Sequence, residues 1–272
     1  MYERCRIAVV GVGRMGEAIV AGLISSGRYT SEHIVCYDVS LERREYMRRM
    51  YGVRCLDKPS EDIRDARIVF VSVKPKDVSI ALSSIASYLD KSSTLISVAA
   101  GVPLSYIRRY IAKPTPIVRI MPNLACMIRE GMIAYSTEYD IDYETEKGIV
   151  DILSILGRVV KIDERYMDVA TALIGSGPAY VAFVIEALAD AGVRLGIPKG
   201  LAITMATQTV LGASKLILDR NIHPAILRDM VATPGGTTIE GLLTLEERAV
   251  KSAFIYAVSR AAAKASELSL KD

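Results

Sequence analysis

The chain has 272 residues, which at about 150 residues per domain corresponds to one large domain or two modest ones. Hydrophobic residues make up 51% of it and charged residues 24%, a balance that excludes wholesale disorder. The net charge of +3 on 29.6 kDa is too small to favour binding to nucleic acid or to an anionic membrane, so we expect a small-molecule ligand.

The cysteines and histidines do not have the spacing of a disulfide framework or a zinc site. We therefore expect no metal, and we interpret both histidines as ordinary residues beside a strand and a turn. These residues are Cys5, Cys36, Cys55, Cys126, His33 and His223.

No segment has the pattern of a signal peptide or a membrane span. The short apolar run near the N-terminus leads directly into Gly11. The longest uncharged stretch, residues 169–185, is interrupted by Gly-Ser-Gly-Pro and is shorter than the roughly 20 residues that cross a bilayer. The sequence predicts a soluble, cytoplasmic protein.

In the first part of the chain, short apolar β-branched runs alternate with amphipathic stretches. Such runs are typical of parallel strands that are covered on both faces, and the alternation predicts a doubly wound, Rossmann-type α/β domain with a mainly parallel sheet over residues 1–163. The predicted strands cover residues 7–10, 34–37, 68–73, 94–98 and 117–120, and the predicted helices 15–26, 41–51, 77–89 and 103–110.

The remaining residues, 164–272, are predicted to form an all-helical domain. Residues 179–195 and 199–218 are each long enough for a full helix and apolar around most of the circumference. A monomer of this length has too little core to cover both helices. We therefore expect this domain to pack against a second copy, as a dimer or a larger closed assembly.

The clearest local motif is a glycine-rich turn after the first predicted strand. Gly11-Val12-Gly13-Arg14-Met15-Gly16 fits the G-x-G-x-x-G pattern, in which the three glycines permit a tight turn, close approach of a pyrophosphate and close helix packing. The following helix would offer free N–H groups to the phosphates. The alternative is a structural turn with no ligand.

The end of the second strand bears on the choice of cofactor. Asp38 lies 22 residues beyond Gly16, near the position at which an acid accepts the ribose 2′-hydroxyl of NAD and repels a 2′-phosphate. Arg43 and Arg44 follow, and could either reach a phosphate or form a solvated helix face. The cofactor is NADPH or NADH, with Asp38 favouring NADH.

Two further strand ends are expected at the same edge of the sheet, where ligands bind in open α/β folds. One carries Val73, Lys74 and Pro75, of which Lys74 either contacts the cofactor or is a plain surface residue. The other carries the small residues Ala99 and Ala100, which would let the nicotinamide approach the backbone.

The second concentrated motif lies in the helical part. Pro234-Gly235-Gly236 cannot sit inside a helix, whereas Thr237-Thr238 and the residues after them read as a helix start. The backbone N–H groups of Gly235, Gly236 and Thr237 would then point outward together and bind an anion. The alternative is a helix–helix turn capped by a threonine.

Taken together, these motifs make the chain resemble the pyrroline-5-carboxylate reductase family over nearly its whole length. The resemblance implies that the glycine-rich turn and the Val-Lys-Pro segment hold the dinucleotide, and that amides of the Pro-Gly-Gly turn hold the substrate carboxylate. It also implies dimers with interleaved helical domains, often gathered into rings. The matching segments are 11–16, 73–75, 99–101, 121–123, 175–180 and 233–238.

The same resemblance implies roles in the reduction of a cyclic imine to proline. Thr238 is expected to orient or protonate the ring nitrogen, with Val231 and Ser176 as further substrate contacts and Asn123 as a cofactor contact. Two features depart from the family: Leu124 replaces a common proline, and Asp38 is unusual in a family often tuned to the 2′-phosphate.

Two rival functions have their own sequence marks. A β-hydroxyacid dehydrogenase would carry a catalytic lysine where residues 179–182 read Ala-Tyr-Val-Ala. A non-catalytic nicotinamide sensor could use the same fold, but the intact Pro-Gly-Gly-Thr-Thr turn counts against it.

Overall fold

The computed structural model describes residues 5–138 and 141–269, which form two compact units. The first unit contains the residues up to 176 together with 261–269, and the second contains residues 177–260. The strands are β1 Arg6–Val10, β2 Ile34–Tyr37, β3 Arg54–Leu56, β4 Ala66–Val71, β5 Thr94–Ser97, β6 Ile117–Met121, β7 Gly131–Thr137 and β8 Gly157–Lys161. The α-helices are α1 Arg14–Ser25, α2 Leu41–Tyr51, α3 Val78–Ile85, α4 Leu104–Arg108, α5 Tyr143–Leu153, α6 Met167–Ala170, α7 Gly177–Arg194, α8 Lys199–Arg220, α9 Pro224–Val231, α10 Thr237–Glu247 and α11 Val250–Leu268.

Within the described residues, the first unit is built on one sheet of eight strands in the order β3-β2-β1-β4-β5-β6-β7-β8. All neighbouring strands pair in parallel except β6 and β7, which are antiparallel. The five predicted strands are confirmed within two residues at each end, and so is the doubly wound fold class. The carboxyl ends of β1, β2, β4, β5 and β6 therefore meet at one edge.

Buried side chains alternate between the two faces of this sheet, as strand geometry requires. On β1, Ile7 and Val9 belong to the cluster beneath α1, α2 and α5, whereas Ala8 and Val10 belong to the cluster beneath α3 and α4. Because both faces are covered, the central strands are mostly apolar, with Arg67 on β4 and Arg119 on β6 as exceptions, and this is why they could be predicted.

Three strands and one helix of the first unit were not predicted: β3, β7, β8 and α5. β3 and β8 are the edges of the sheet, and edge strands are often short and carry charged side chains. β7 returns antiparallel to β6 after a 3₁₀ turn over Leu124–Ile128, so the strand–helix alternation stops there.

The four cysteines all lie in the first unit and are free thiols. Cys36 and Cys55 are buried on neighbouring strands, directly opposite each other in the β2–β3 register, and Cys126 is buried in the same cluster. Each thiol is therefore part of the packing of the first unit.

The second unit is helical, as predicted, but it has almost no core of its own. Among its described residues, only Ala189, Ala202 and Ala206 are buried hydrophobics, where α7 packs on α8. Large apolar side chains such as Phe183 (68% exposed) and Leu211 (57%) face outward. By length and composition alone, the helical segments Glu164–Arg194 and Lys199–Arg220 could also cross a membrane.

Candidate functional site

The glycine-rich turn joins β1 to α1, and two of its glycines are required by close backbone contacts. Gly11 has φ +88°, and a Cβ there would lie 2.6 Å from the carbonyl oxygen of Ser72. A Cβ on Gly16 would lie 2.1 Å from the carbonyl oxygen of Gly11. The turn and the first helical residues therefore pack backbone against backbone, which only glycine allows at these positions.

Gly13 differs from its neighbours, because a Cβ there would have nothing within 4 Å. It is the exposed N-cap of α1, and Arg14 and Met15 open the helix behind it. The first N–H groups of the 12-residue α1 have no intrahelical partner, so this open space suits a phosphate group.

A second feature of this turn also fits a dinucleotide. Among the described residues, the buried Ser72 Oγ has no hydrogen-bond partner, and it lies 3.4 Å from the position of a Cβ on Gly16. An unpaired buried hydroxyl usually marks a group that a ligand or water satisfies. The residues present thus fit a dinucleotide pyrophosphate.

Asp38 holds the turn from the end of β2. Its Oδ2 accepts a hydrogen bond from the Val12 N–H at 2.9 Å, and its Oδ1 accepts one from the Ser40 N–H at 2.9 Å. Asp38 is half-buried, so its carboxylate is fixed beside the glycine-rich turn while part of it faces solvent.

Arg43 and Arg44 make contacts that neither of the two roles considered from the sequence includes. Arg43 donates from Nε and Nη2 to the Val12 carbonyl oxygen at 2.9 and 2.6 Å, and its Nη2 also binds Glu17 Oε2 at 2.7 Å. Arg44 Nη1 donates to the carbonyl oxygens of Asp38 and Val39, each at 2.9 Å. Both guanidinium groups therefore stabilise the backbone of the glycine-rich turn and of the loop after β2.

Glu17 is a structural position beside the glycine-rich turn that the sequence reasoning missed. It is only 9% exposed on α1, and its Oε1 accepts hydrogen bonds from the hydroxyls of Tyr46 and Tyr51, each at 2.9 Å. Burial and the carboxylate beside it raise the pKa of Tyr51 to about 12, so Tyr51 remains a hydrogen-bond donor well into the alkaline range. The available signal was a single acid in the otherwise uncharged segment 15–26.

Glu17 is expected to make stability pH-dependent. Burial by itself would raise the pKa of Glu17, but hydrogen bonds from Arg43, Tyr46 and Tyr51 outweigh it and hold the pKa below the ordinary 4.5. A carboxyl whose pKa is lowered by folding stabilises the folded state above its unfolded pKa and loses that effect as pH falls through its folded pKa. The contribution of Glu17 is therefore complete above about pH 5 and declines below pH 4.5.

The variant Glu17→Gln is expected to lower the free energy of unfolding by ~3 kcal/mol at pH 7, because it leaves the charge of Arg43 uncompensated. The deficit should shrink as pH falls toward 3, measured by urea unfolding. The exposed Glu45→Gln, beyond the first turn of α2, is the matched control and should match wild type throughout. A deficit that is the same at pH 7 and pH 3 would contradict this role of the Glu17 charge.

The other predicted cofactor residues follow β4, β5 and β6. Val73 and Lys74 lead into a 3₁₀ turn that begins at Pro75, with Lys74 exposed. Ala99 and Ala100 follow β5, which pairs in parallel with β4. The two segments therefore lie side by side at the edge that also carries the glycine-rich turn.

Asn123 follows β6, and its side chain is already partly engaged. Its Oδ1 accepts a hydrogen bond from the Met132 N–H at 3.4 Å, which connects the end of β6 to the start of β7. Leu124 begins a 3₁₀ turn, Leu124–Ile128, and is 45% exposed.

Ser176 also lies in the first unit, at the end of a π-helical turn. Residues Thr171–Gly175 form this turn, and the Ser176 N–H donates to the Thr171 carbonyl oxygen at 3.1 Å. Single π-helical turns often occur at functional sites.

The predicted substrate turn lies in the second unit, between α9 and α10. The Gly236 N–H donates to the Thr233 carbonyl oxygen at 3.0 Å, and Gly235 has φ +66°, as the third residue of a type II β-turn does. Val231 ends α9 and is 56% exposed, and Gly236 is the N-cap of α10.

This geometry changes which N–H groups of the turn are available. The N–H of Gly236 is already paired within the turn, whereas α10 begins at Thr237 and Thr238, whose N–H groups are in the unpaired first turn. Helix α10 has 11 residues, so its N-terminus carries a substantial partial positive charge. Gly236 would contribute to an anion only by sharing its N–H.

Two family models match the chain. Residues 6–101 match the family described as NADP oxidoreductase coenzyme F420-dependent, and residues 164–268 match the family described as pyrroline-5-carboxylate reductase dimerisation. The chain is 38% identical over 269 residues to the pyrroline-5-carboxylate reductase of Methanosarcina acetivorans, across 99% of this chain and 100% of that protein.

Solved structures agree with these matches. The pyrroline carboxylate reductase of Plasmodium falciparum, crystallised with NADP bound, superposes with a TM-score of 0.88 at 29% identity, over 99% of this chain and 100% of that one. The pyrroline-5-carboxylate reductase of Coxiella burnetii gives a TM-score of 0.89 at 30% identity, over 98% and 100%.

Proposed function

The chain belongs to the pyrroline-5-carboxylate reductase family, and we propose that it reduces the C=N bond of pyrroline-5-carboxylate with NADH or NADPH to form L-proline. This reaction is the last step of proline biosynthesis. The combination of two structural features carries the proposal: open space at Gly13 that suits a dinucleotide, and a type II turn that precedes α10. The chain also matches the Methanosarcina acetivorans reductase over the full length of that protein.

We propose that residues 1–163 form the domain that binds the dinucleotide, and that residues 164–272 form the domain that binds substrate and dimerises. The match of residues 164–268 to a dimerisation family supports the assignment of the second domain. The cofactor contacts are proposed to come from Gly11, Val12, Gly13, Arg14, Met15, Gly16, Asp38, Val73, Lys74, Pro75, Ala99, Ala100 and Asn123.

The substrate carboxylate is proposed to bind at the start of α10. The proposed donors are the backbone N–H groups of Gly235 and Thr237, with Gly236 contributing only by sharing its N–H, and the helix N-terminus favours a negative charge. Because backbone donors act whatever the side chain, the turn needs its glycines for shape and not for chemistry. Val231 and Ser176 are proposed as further contacts to the substrate.

Thr238 is proposed as the catalytic residue, which orients or protonates the ring nitrogen. When bound, the reduced nicotinamide supplies the hydride. A protonated imine already attracts hydride, so the chain needs only to position the two reactants and to place one hydroxyl at the nitrogen. Thr238 is half-buried at the second position of α10, which is consistent with this role.

A direct assay tests the activity. We expect oxidation of NADH or NADPH, each followed separately by absorbance, only when pyrroline-5-carboxylate is present. Oxidation of hydroxyacids with NAD or NADP should not occur. Tight cofactor binding without any turnover of the imine would instead indicate a nicotinamide sensor and would contradict the proposal.

Self-association is proposed to cover the second unit, as a dimer or a ring of dimers. The three buried alanines of this unit are too small a core to stabilise it, and its outward-facing Phe183 and Leu211 need a partner surface. The two membrane-length helices are explained in the same way, because a second copy would bury their apolar faces.

Light scattering at micromolar concentration is expected to show a dimer or larger assembly. Phe183→Glu should shift the protein toward monomer, because a charge then replaces a large side chain at the proposed contact. Ile80→Glu, at an isolated exposed residue of α3, is the matched control and should not alter the mass. A wild-type protein that is only monomeric would defeat the proposal.

We further propose that the enzyme works in the cytoplasm, without nucleic-acid or membrane partners. The small net charge of +3 and a biosynthetic substrate that is soluble in water support this placement.

A further inference from the structure

We propose that this chain binds NADH in preference to NADPH, and that Asp38 determines the preference. The inference rests on the proposed function, because it takes the dinucleotide to lie on the glycine-rich turn. The two cofactors differ only in a phosphate on the 2′-oxygen of the adenosine ribose. Selectivity therefore depends on the charges that the chain presents at the end of β2.

The Asp38 carboxylate is held in place before any cofactor binds. The N–H groups of Val12 and Ser40 donate to its two oxygens at 2.9 Å each, so the carboxylate cannot turn away from the glycine-rich turn. Each oxygen can accept more than one hydrogen bond, so a ribose hydroxyl can still donate to it. A 2′-phosphate would instead bring two like charges together.

Arg43 would be costly to redirect toward a 2′-phosphate. It forms two hydrogen bonds to the Val12 carbonyl oxygen and an ion pair with Glu17, whose side chain is only 11% exposed. Releasing Arg43 would leave that carboxylate without its cation, and an uncompensated buried charge is strongly destabilising. Arg43 is therefore a positioning residue for the turn.

Arg44 and Val39 lie on the loop beyond Asp38. Arg44 Nη1 is engaged by the carbonyl oxygens of Asp38 and Val39, and these bonds close the loop that carries the carboxylate. Val39, the residue directly after Asp38, is 91% exposed and has no side-chain donor for a phosphate. It offers instead an apolar surface of the kind that packs against a base.

Equilibrium binding of each cofactor to the intact protein, without substrate, tests the inference. Titration of nicotinamide fluorescence at one ionic strength should give a Kd for NADH at least about tenfold lower than for NADPH, the ratio that one charged contact produces. Asp38→Ser should lower this preference about tenfold or more, by weakening NADH and strengthening NADPH. The exposed Asp151→Ser on α5 changes net charge equally and should leave the ratio unchanged.

The outcomes separate this inference from the proposed function. Wild-type protein that binds NADPH as tightly as NADH overturns the preference, and so does an Asp38→Ser protein with the wild-type ratio or an equal effect of Asp151→Ser. If thermal unfolding shows that Asp38→Ser does not fold, Asp38→Asn removes the same charge with less change of shape and is read in the same way. Failure to bind either cofactor would contradict the proposed function itself.

Discussion

Replacing Thr238 with alanine is expected to lower kcat by about 100-fold or more, the range in which a positioned proton donor contributes. Thr238 is the second residue of α10, so the residue four positions before it, Pro234, lies outside the helix and offers no helical carbonyl. Among the described residues its hydroxyl accordingly has no hydrogen-bond partner, whereas the Thr244 hydroxyl further along α10 donates to the Glu240 carbonyl oxygen at 3.0 Å. The Thr238 hydroxyl is therefore available to the substrate.

Steady-state kinetics and cofactor titration together test this role. Thr238→Ser keeps a hydroxyl and should recover most of the lost turnover, while Thr244→Ala is the matched control on the same helix. The Kd of the cofactor should not change in Thr238→Ala, because the dinucleotide residues are unaltered. If Thr238→Ala keeps most of its kcat, Thr238 has no part in proton transfer or orientation.

Alanine at Gly13 and alanine at Gly16 are expected to damage different properties. Gly13 has open space around the position of a Cβ and has φ −63°, so the variant should fold as wild type does. Its new methyl group would occupy the space proposed for the pyrophosphate, and we expect cofactor affinity to fall at least about tenfold. At Gly16 the new methyl group would instead overlap the Gly11 carbonyl oxygen, and overpacking of this kind costs ~2–3 kcal/mol of stability.

Thermal unfolding without cofactor, followed by cofactor titration, separates the two effects. Gly16→Ala should lower Tm by several degrees, and Gly13→Ala should lower it by less, because alanine only makes a poorer N-cap for α1 there. Gly212→Ala, at a glycine of α8 with open space around the Cβ position, is the control for the effect on Tm of replacing a helical glycine with alanine. Gly27→Ala would not serve as this control, because a φ of +70° adds backbone strain to the variant. Tight cofactor binding by Gly13→Ala would show that the pyrophosphate does not lie over this residue.

The central strands could be predicted because burial on both faces of the sheet requires short runs of mostly apolar residues in the sequence. A run such as that of β1 admits no polar residue between Ile7 and Val10, and the turn after it must carry Gly11 at positive φ. The edge strand β8 has only partial burial, so its Arg158 and Lys161 interrupt the pattern. Its place in the sheet depends on pairing with β7, which lies more than 20 residues earlier.

The sites were predictable only as far as local backbone geometry determines them. The Thr-Pro-Gly-Gly pattern predicts a turn, but only the structure shows that the N–H of Gly236 is used within it. The contact between Arg43 and Glu17 joins residues 26 apart in sequence, so no local pattern contains it. The spacing of charges in the sequence allowed Arg43 either to bind a phosphate or to lie on a solvated helix face. The tertiary structure shows a third arrangement, in which Arg43 binds the Val12 carbonyl oxygen and Glu17.

The placement of the cysteines makes the dinucleotide unit separately observable. Cys36, Cys55 and Cys126 are inaccessible in the folded chain, and residues 177–260 contain no cysteine at all. A thiol reagent can modify these three side chains only when the first unit opens, whereas the half-buried Cys5 can react in the folded chain. The modification rate of the three buried thiols, followed separately from that of Cys5, therefore measures the free energy of opening and does not depend on the helical unit. Added dinucleotide should slow this modification. The extent of the slowing would measure how strongly the ligand stabilises the first unit, independently of turnover.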